Sequence, residues 1–291
     1  MKDHSRFLAW CLSTPWALMP ERMAAYATVL AMQSRGESYP AAARPTQAKP
    51  AQRAGAIAVI PVVGTIVPRA GQLDMCEEGT STQQISAALA DANADPSVAQ
   101  ILLMIDSPGG AVTGVPELCD EIGNSSKPVV AFTSGLAASA GYWIGASAGE
   151  FYMSPSAEVG SIGVWAAHYD VSEAMKADGV KPTIISAGKY KVEGNPFEPL
   201  SDEAQQFMQS RVDDYYGAFV RAVAKGRKVS AAVVREGMGQ GRCYGADQAS
   251  KENMIDGIET FAQVVARMQS KMKSSAPSRL ARAQRELQIA G

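Results

Sequence analysis

The sequence predicts an α/β protein in which a parallel sheet forms the core and helices flank it. Short runs that are apolar at every position alternate with stretches of helical periodicity. Strands that are buried on both faces have this appearance, whereas a sheet with one face in water alternates apolar and polar residues. The 291 residues, 46% of them apolar, are enough to bury a large core.

The composition divides the chain into four parts. Residues 1–35 carry apolar side chains at helical intervals after Pro20 and predict a helical appendage. Residues 36–54 are rich in Ala, Pro, Arg and Lys, which is typical of a flexible linker. The main domain is expected over residues 55–268, and residues 269–291 are expected to form a basic, flexible tail.

Strands and helices are expected in alternation within the main domain. The expected strands are Ala56–Ile60, Gln100–Ile105, Pro128–Phe132, Phe151–Met153, Gly163–Trp165 and Thr183–Ile185. The expected helices are Ser81–Ala92, Val115–Gly123, a buried apolar helix around Gly141–Gly145 and a long helix over Leu200–Arg227. Ser201 is the expected N-cap of the long helix, with Asp202 and Glu203 in its first turn.

Charge and hydropathy exclude several classes of protein. The net charge of −2 and the pI of about 5.8 give no positive field that would attract nucleic acid or an anionic membrane. The apolar run from Phe7 to Pro20 contains Pro15 and is too short to cross a membrane. Lys2 and Arg6 precede this run as in a signal peptide, but no small-x-small cleavage site closes it. We therefore expect a cytoplasmic protein.

The four cysteines are Cys11, Cys76, Cys119 and Cys243. No two of them have the spacing of a zinc site or a redox motif. A disulfide is compatible with an even number, but reduced and buried thiols are the expected state in a reducing compartment.

Ser139 is a candidate nucleophile for which the chain offers no obvious histidine. It follows a predicted strand and precedes the apolar stretch that is expected to form a buried helix. The only histidines are His4, in the N-terminal segment, and His168, which follows Ser139 too closely for the chain order of a hydrolase triad. A structural alternative is that Ser139 only caps the helix.

A lysine is therefore the expected base. Lys189 and Lys191 both lie in Gly188-Lys-Tyr-Lys191, and residues two apart share a face of an extended segment, so spacing does not choose between them. A lysine base must be neutral, which requires its pKa to fall by roughly three units from about 10.4. Burial in an apolar site can cause that change. An ordinary surface charge is the alternative for either lysine.

Glycines directly after a predicted strand suggest an oxyanion hole. Asp106-Ser-Pro-Gly-Gly110 follows the strand ending at Ile105, where ligands bind in open α/β sheets. Gly109 and Gly110 allow the backbone to approach a ligand, and the amide of Ala140 at a helix start could join theirs. An ordinary strand-to-helix turn is the alternative.

Together these residues resemble a known family. The motifs are Asp106-Ser-Pro-Gly-Gly110, Ala138-Ser-Ala-Gly-Tyr-Trp143, Val159-Gly-Ser-Ile-Gly-Val164, and Gly188-Lys-Tyr-Lys191 followed by Asn195-Pro-Phe197. In this order, over about Ala56 to Met268, they are similar to the signal peptide peptidase A group of serine peptidases, family S49. The resemblance implies a crotonase-like fold shared with the Clp protease, and peptide-bond cleavage by a Ser-Lys dyad without a metal or other cofactor.

The resemblance also implies a role for each site residue. Ser139 would be the nucleophile, Lys191 the base, and Ser161 the hydroxyl that orients the lysine amine. The backbone amides of Gly109, Gly110 and Ala140 would form the oxyanion hole. The family usually has glycine at the position of Ala140, a change that leaves the amide in place and alters only the shape of the pocket.

The N-terminal segment narrows the resemblance to phage and prophage members. Trp16-Ala-Leu-Met-Pro-Glu-Arg-Met23, followed by a Pro/Ala linker, is similar to the leader of head maturation proteases. This implies a ring-shaped homo-oligomer that cuts capsid or scaffold proteins, in the host cytoplasm or the assembling prohead, without nucleic acid or stable membrane insertion. Alternatives are housekeeping degradation of peptides, a crotonase-fold protein that binds acyl thioesters, and a non-enzymatic assembly component.

Overall fold

The computed structural model describes residues 14–24, 52–70 and 79–272. In this part of the chain the strands are Trp16–Leu18 (β1), Gln52–Ala54 (β2), Ile57–Val63 (β3), Thr65–Val67 (β4), Gly79–Ser81 (β5), Gln100–Ser107 (β6), Gly109–Ala111 (β7), Val129–Ala138 (β8), Glu150–Met153 (β9), Glu158–Gly160 (β10), Cys243–Gly245 (β11) and Gly257–Ile258 (β12). The helices are Thr82–Ala94 (α1), Val115–Gly123 (α2), Ala140–Ala146 (α3), Ser172–Ala177 (α4), Asp202–Arg227 (α5), Ala231–Glu236 (α6) and Ala246–Lys251 (α7). Residues 20–24 and 261–272 are also helical.

The larger sheet has the strand order β11-β10-β8-β6-β3-β2. Its central strands β10, β8, β6 and β3 are parallel, and β2 and β11 join its edges antiparallel. Neighbouring residues of β6 such as Leu102 and Leu103 are both fully buried, so the strand is covered on both faces. This confirms the predicted α/β architecture with a largely parallel sheet between helices.

Strand β8 branches within this sheet. Its first half pairs with β9 from Val130 to Thr133, and its last residues, Leu136 to Ala138, pair with β10. Because β10 replaces β9 as the neighbour near the carboxyl end of β8, the residues after β8 and β10 lie side by side. The predicted functional residues Ser139 and Ser161 directly follow these two strand ends.

A smaller sheet has the order β1-β7-β4-β5 and contains the glycine turn. Strand β7 lies between β1, which is antiparallel to it, and β4, which is parallel. The predicted turn at Gly109 and Gly110 is therefore a short strand held from both sides.

The N-terminal prediction was wrong at β1. Residues Trp16–Leu18, expected in a helical appendage, form a strand whose side chains are all buried. Trp16 and Leu18 pack with Ala111 and Trp165, and this burial together with the pairing to β7 outweighs local helical periodicity. Residues 1–13 and 25–51, most of the predicted appendage and linker, and the tail beyond residue 272 lie outside the described residues.

Two predicted strands are absent from the described chain. Gly163–Trp165 forms no strand, although Trp165 makes an isolated antiparallel bridge to Trp16; the strand nearby is β10. Thr183–Ile185 is also not a strand, and Ile185 is 95% exposed. The apolar residues of this second run have no neighbouring strand with which to pair, so β-propensity alone does not order them.

Helix α3 carries the site and is completely buried. Trp143 of α3 stacks on Phe219 of the long helix α5, with ring centroids 4.4 Å apart and planes inclined by 6°. The Ser201 side chain accepts a hydrogen bond from the Ala204 amide, which confirms the predicted N-cap of α5. Aromatic packing thus fixes the helix that follows Ser139 against a capped helix of 26 residues.

The two cysteines in the described residues, Cys119 and Cys243, are free. Burial raises the pKa of the Cys119 thiol to about 12, so this group stays protonated and inert at neutral pH. None of the helices in the described ranges combines the length and the hydropathy needed to cross a membrane.

Candidate active site

Ser139 occupies a strained turn between β8 and α3. Its φ of 55° and ψ of −119° lie in a region that residues with a side chain seldom adopt, at a cost of about 1–3 kcal/mol. The Ser139 amide donates to the Gly160 carbonyl at 2.8 Å, which ties the turn to the end of β10. Its side chain makes no capping hydrogen bond, so the alternative that Ser139 only caps the helix is wrong.

Gly109 lies against this turn. A Cβ atom added to Gly109 would lie 2.8 Å from Ser139 Cβ and 3.1 Å from the Ala140 amide nitrogen. Ala140 is the first residue of α3, where amide groups have no partner within the helix. The structure therefore brings three of the predicted site residues, Gly109, Ser139 and Ala140, to one point.

The glycine turn is held by Ser107, whose role the sequence analysis missed. The buried Ser107 hydroxyl donates to the Gly64 carbonyl at 2.7 Å and accepts from the Gly109 amide at 3.1 Å. The Gly109 amide is thus already bound within the chain, and the Gly110 amide faces β1 instead. The motif Asp106-Ser-Pro-Gly-Gly110 contained the signal, since a serine two residues before a glycine can bond its backbone.

Ser161 follows the strand next to that of Ser139. Gly160 and Ala138 are paired in register, so Ser139 and Ser161 are the next residues of two adjacent parallel strands, which lie about 4.8 Å apart. Ser161 also has a positive φ, 54°, and its amide donates to the Arg242 carbonyl at 2.8 Å. The two predicted catalytic serines therefore both have a positive φ, which residues with a side chain seldom adopt.

Lys191 lies at the surface of the chain, whereas Ser139 is buried. It lies in a turn closed by a hydrogen bond of 3.1 Å from its amide to the Gly188 carbonyl, and the residue is exposed. No hydrogen bond or ion pair of the Lys191 ammonium group occurs among the described residues. The predicted base therefore lies outside the cluster formed by Ser139 and Gly109.

Lys189, the alternative base, has partners of its own. Its ammonium group contacts the Tyr190 hydroxyl and lies 3.2 Å from the Glu203 carboxylate. These hydrogen bonds, first that of Tyr190 and then that of Glu203, raise the pKa of Lys189. A raised pKa keeps the amine protonated, which disfavours Lys189 as a general base.

His168, the histidine within the described ranges, bonds a backbone carbonyl. His168 Nε2 lies 3.0 Å from the carbonyl oxygen of Asn195, with which it bonds. The described residues also contain no group of three His, Cys, Asp or Glu side chains that could hold a metal ion.

Two family models match this chain. The model described as Peptidase family S49 matches residues 121–275, which include Ser139, Ser161 and Lys191. The model described as Clp protease matches residues 73–159, which include the glycine turn and Ser139. The second match, together with the largely parallel sheet between helices, confirms the Clp protease and crotonase-like fold.

Several proteins of known name are similar to the chain. The capsid assembly protease C of Escherichia phage lambda is 37% identical over 192 residues, which are 65% of this chain and 44% of that protein. The head-tail preconnector protein GP5 of Enterobacteria phage P21 is 37% identical over 58% of this chain and 34% of its own length. Protease 4 of Salmonella typhi is 31% identical over 75% of this chain and 35% of its own length. The chain thus spans less than half of each of these three relatives.

Proposed function

The chain belongs to peptidase family S49, and on that premise we propose that it is a serine endopeptidase that uses Ser139 and Lys191 as a catalytic dyad. The observation that carries the proposal is the convergence of Ser139, Gly109 and the Ala140 amide at one point. A strained serine beside the free amide at a helix start is an arrangement suited to acyl transfer.

The proposed reaction forms and hydrolyses an acyl-enzyme. Neutral Lys191 takes the proton of the Ser139 hydroxyl while the Oγ atom attacks the substrate carbonyl. The amides of Gly110 and Ala140 donate to the developing oxyanion, and Gly109 leaves space for the substrate backbone. Protonated Lys191 then gives its proton to the leaving amine, and water releases the acyl group by the same route in reverse. Ser161 would position the lysine amine.

The lysine must reach Ser139 from an exposed segment, and we infer that a second copy of the chain presents it. Large apolar side chains of this segment lie in water, including Ile185 at 95% exposure and Tyr169 at 52%. A second copy of the chain would cover apolar side chains that are exposed in the single chain. In the proposed homo-oligomer, Lys191 of one subunit completes the site of its neighbour, in keeping with the ring expected for the family.

We propose capsid or scaffold proteins of a phage or prophage as substrates. The support is the similarity to the capsid assembly protease of phage lambda and the preconnector protein of phage P21. Housekeeping degradation of peptides is the alternative, and similarity to Protease 4 keeps it open. Cleavage of a co-expressed capsid or scaffold protein from the same genome would select the first role, and cleavage of unrelated unfolded proteins alone would select the second.

Covalent labelling tests the nucleophile. A fluorophosphonate probe should label the wild-type protein at Ser139, as located by peptide mass spectrometry, and Ser139→Ala should abolish labelling. Ser134→Ala is the matched control, because Ser134 is exposed on the same strand and has no proposed role. Labelling of the Ser139→Ala variant would contradict the proposal. So would a wild-type protein that binds acyl thioesters and is not labelled by the probe.

Mixing two inactive variants tests the shared site. Ser139→Ala and Lys191→Ala should each be inactive, and a mixture that exchanges subunits should regain activity because some sites combine an intact Ser139 with an intact Lys191. The matched control is a mixture of Ser139→Ala with the double variant, which has no intact serine. If the first mixture stays inactive while exchange is demonstrated, Lys191 acts within its own chain.

A further inference from the structure

Strand β1 runs beside the glycine turn and is hydrogen-bonded along both of its edges. Trp16 exchanges hydrogen bonds with Trp165, the Trp16 amide donating at 2.8 Å and the Trp165 amide at 3.0 Å. On its other edge β1 pairs with β7, the strand of the glycine turn. An extended segment held along both edges is the way in which peptides bind by strand addition.

The register places one carbonyl of this segment beside Ser139. The Met19 amide donates to the Pro108 carbonyl at 3.1 Å, and the Val112 amide to the Pro15 carbonyl at 3.4 Å. Hydrogen-bonded pairs alternate along an antiparallel ladder, so Ala17 and Gly110 form the hydrogen-bonded pair between these two. The Gly110 amide, a proposed oxyanion donor, therefore points at the Ala17 carbonyl.

The surroundings of that carbonyl match a scissile position. A Cβ atom on Gly109 would lie 2.1 Å from the Ala17 oxygen, 2.8 Å from Ser139 Cβ and 3.1 Å from the Ala140 nitrogen. These three atoms thus surround one point. In the same arrangement Ser139 is only 1% exposed, so a second peptide cannot reach it while β1 is in place.

We propose that Trp16–Leu18 occupies the substrate cleft of this site, with the Ala17 carbonyl in the place of the scissile carbonyl, and that a substrate must displace it before Ser139 can act. This inference rests on the proposed peptidase function. It makes β1 an intramolecular inhibitor of the site.

The same geometry specifies the substrate. Successive side chains of a strand point to opposite faces, and here Trp16 and Leu18 pack with Ala111 and Trp165 while Ala17 is buried in the main core. A residue that replaces Ala17 must therefore be small, and its two neighbours can be large and apolar. The cleft takes an extended peptide with a small residue between two large apolar ones.

Release of β1 should activate the enzyme. In the 291-residue chain, Leu18→Asp places a carboxylate in the apolar cluster of Trp16 and Ala111, which disfavours docking of the strand. We expect a fluorophosphonate probe to label Ser139 about tenfold faster or more in this variant. A tenfold increase corresponds to a loss of about 1.4 kcal/mol in the free energy with which β1 docks. Leu18→Met keeps the volume and is the matched control.

A backbone variant and a peptide make the test independent of one substitution. Ala17→Pro removes the amide that pairs with Gly110 and should also speed labelling. A synthetic peptide of residues 14–20 should slow the labelling of Leu18→Asp, and the same peptide with Ala17→Phe should not. Circular dichroism and thermal melting establish that each variant is folded.

The outcomes separate the two proposals. If folded Leu18→Asp and Ala17→Pro are labelled no faster than wild type, β1 is a permanent part of the domain and this inference is overturned while the peptidase proposal stands. If the peptide with Ala17→Phe protects as well as the native one, the substrate preference is overturned. If Ser139 is labelled in no variant, the peptidase proposal itself fails.

Discussion

Gly109 and Ser139 face each other so closely that no side-chain atom fits between them. A Cβ atom on Gly109 would lie 2.8 Å from Ser139 Cβ. Gly109 also has a φ of +100°, a conformation that favours glycine. The turn after β6 and the turn after β8 thus meet at the proposed nucleophile. They can approach this closely because Gly109 has no side chain.

Gly109→Ala should therefore inactivate the enzyme. The new methyl group collides with Ser139 and with the backbone around the oxyanion position, and loss of that geometry should lower kcat by about 100-fold or more. Overpacking should also cost about 1–3 kcal/mol of unfolding free energy. Peptide hydrolysis and urea denaturation measure the two effects.

Gly55→Ala is the control for backbone strain. Gly55 also has a positive φ, +64°, but a Cβ atom there would meet nothing within 4 Å. The Gly55→Ala variant should lose about 1–2 kcal/mol of unfolding free energy, because alanine is strained in the left-handed conformation, and its kcat should be unchanged. Equal loss of activity in the two variants would show that strain, and not the contact with Ser139, causes the effect.

The two lysines should differ sharply when each is replaced. Lys191→Ala should reduce kcat by about 1,000-fold, within the range for loss of a general base, whereas Lys189→Ala should leave kcat nearly unchanged. The reason is that Tyr190 and then Glu203 raise the pKa of Lys189, so it is charged at neutral pH. Steady-state hydrolysis of one peptide by both variants decides the matter, and the reverse order of effects would make Lys189 the base.

Ser161→Ala should impair turnover more than binding. If its hydroxyl orients the neutral lysine amine, losing that hydrogen bond costs about 0.5–1.5 kcal/mol, which is roughly 2- to 10-fold in kcat. KM should change little because the Ser161 hydroxyl has no proposed contact with substrate. A variant with normal kcat and a raised KM would instead place Ser161 in the substrate cleft.

Local chemistry explains which parts of the fold could be predicted from sequence. Helix α2 was predicted with its observed bounds, Val115–Gly123, because four buried apolar residues recur on one face. The N-cap of α5 was predicted because Ser201 precedes two acidic residues. In both cases the signal is local, because it lies within the helix itself or in the residues next to its first turn.

Long-range contacts explain what could not be predicted. The strand β1 exists because Trp16 meets Trp165 and Ala111, residues distant in sequence, and nothing local identifies these partners. The only signal in the sequence was the run of three apolar residues Trp16-Ala-Leu18, which is too short to decide between strand and helix. For the site, the motifs predicted the cluster of Ser139, Gly109 and Ala140, but not that Lys191 is exposed within a single chain.

Gly226→Ala should destabilise the helix that carries the nucleophile. Gly226 of α5 packs on the end of α3 so closely that a Cβ atom would lie 1.7 Å from the Ala146 carbonyl oxygen. The two helices must separate, which should cost about 1–3 kcal/mol and lower the melting temperature by several degrees.

Gly217→Ala in the same helix provides the comparison. A Cβ atom at Gly217 would meet only the end of the flexible Arg221 side chain, at 3.2 Å. Because alanine is favoured over glycine in a helix, this variant should be as stable as wild type or up to about 1 kcal/mol more stable. Thermal melting of both variants is the measurement, and similar losses would contradict the close contact between α5 and α3.

The ion pair between Arg227 and Asp256 should make stability depend on acid pH. The Arg227 guanidinium, whose side chain is only 6% exposed, bonds both carboxylate oxygens at 2.7 and 3.1 Å, and the Phe151 amide donates to Asp256 at 2.7 Å. Burial acts to raise the pKa of Asp256, but the bonds from Arg227 and Phe151 outweigh it and hold the pKa below its ordinary value.

Because this pKa is lower in the folded than in the unfolded chain, the stabilisation is complete above the unfolded value of about 4 and is lost as the pH falls through the folded one. Asp256→Asn should lower the unfolding free energy at pH 7 by about 1–3 kcal/mol, a range reduced for the 36% exposure of the Asp256 side chain. The difference from wild type should shrink in urea titrations as the pH falls below 4. Glu173→Gln, which breaks the exposed pair with Lys176, should have no measurable effect at either pH. A difference between Asp256→Asn and wild type that does not change with pH would mean that the carboxylate is not ionised in the folded protein.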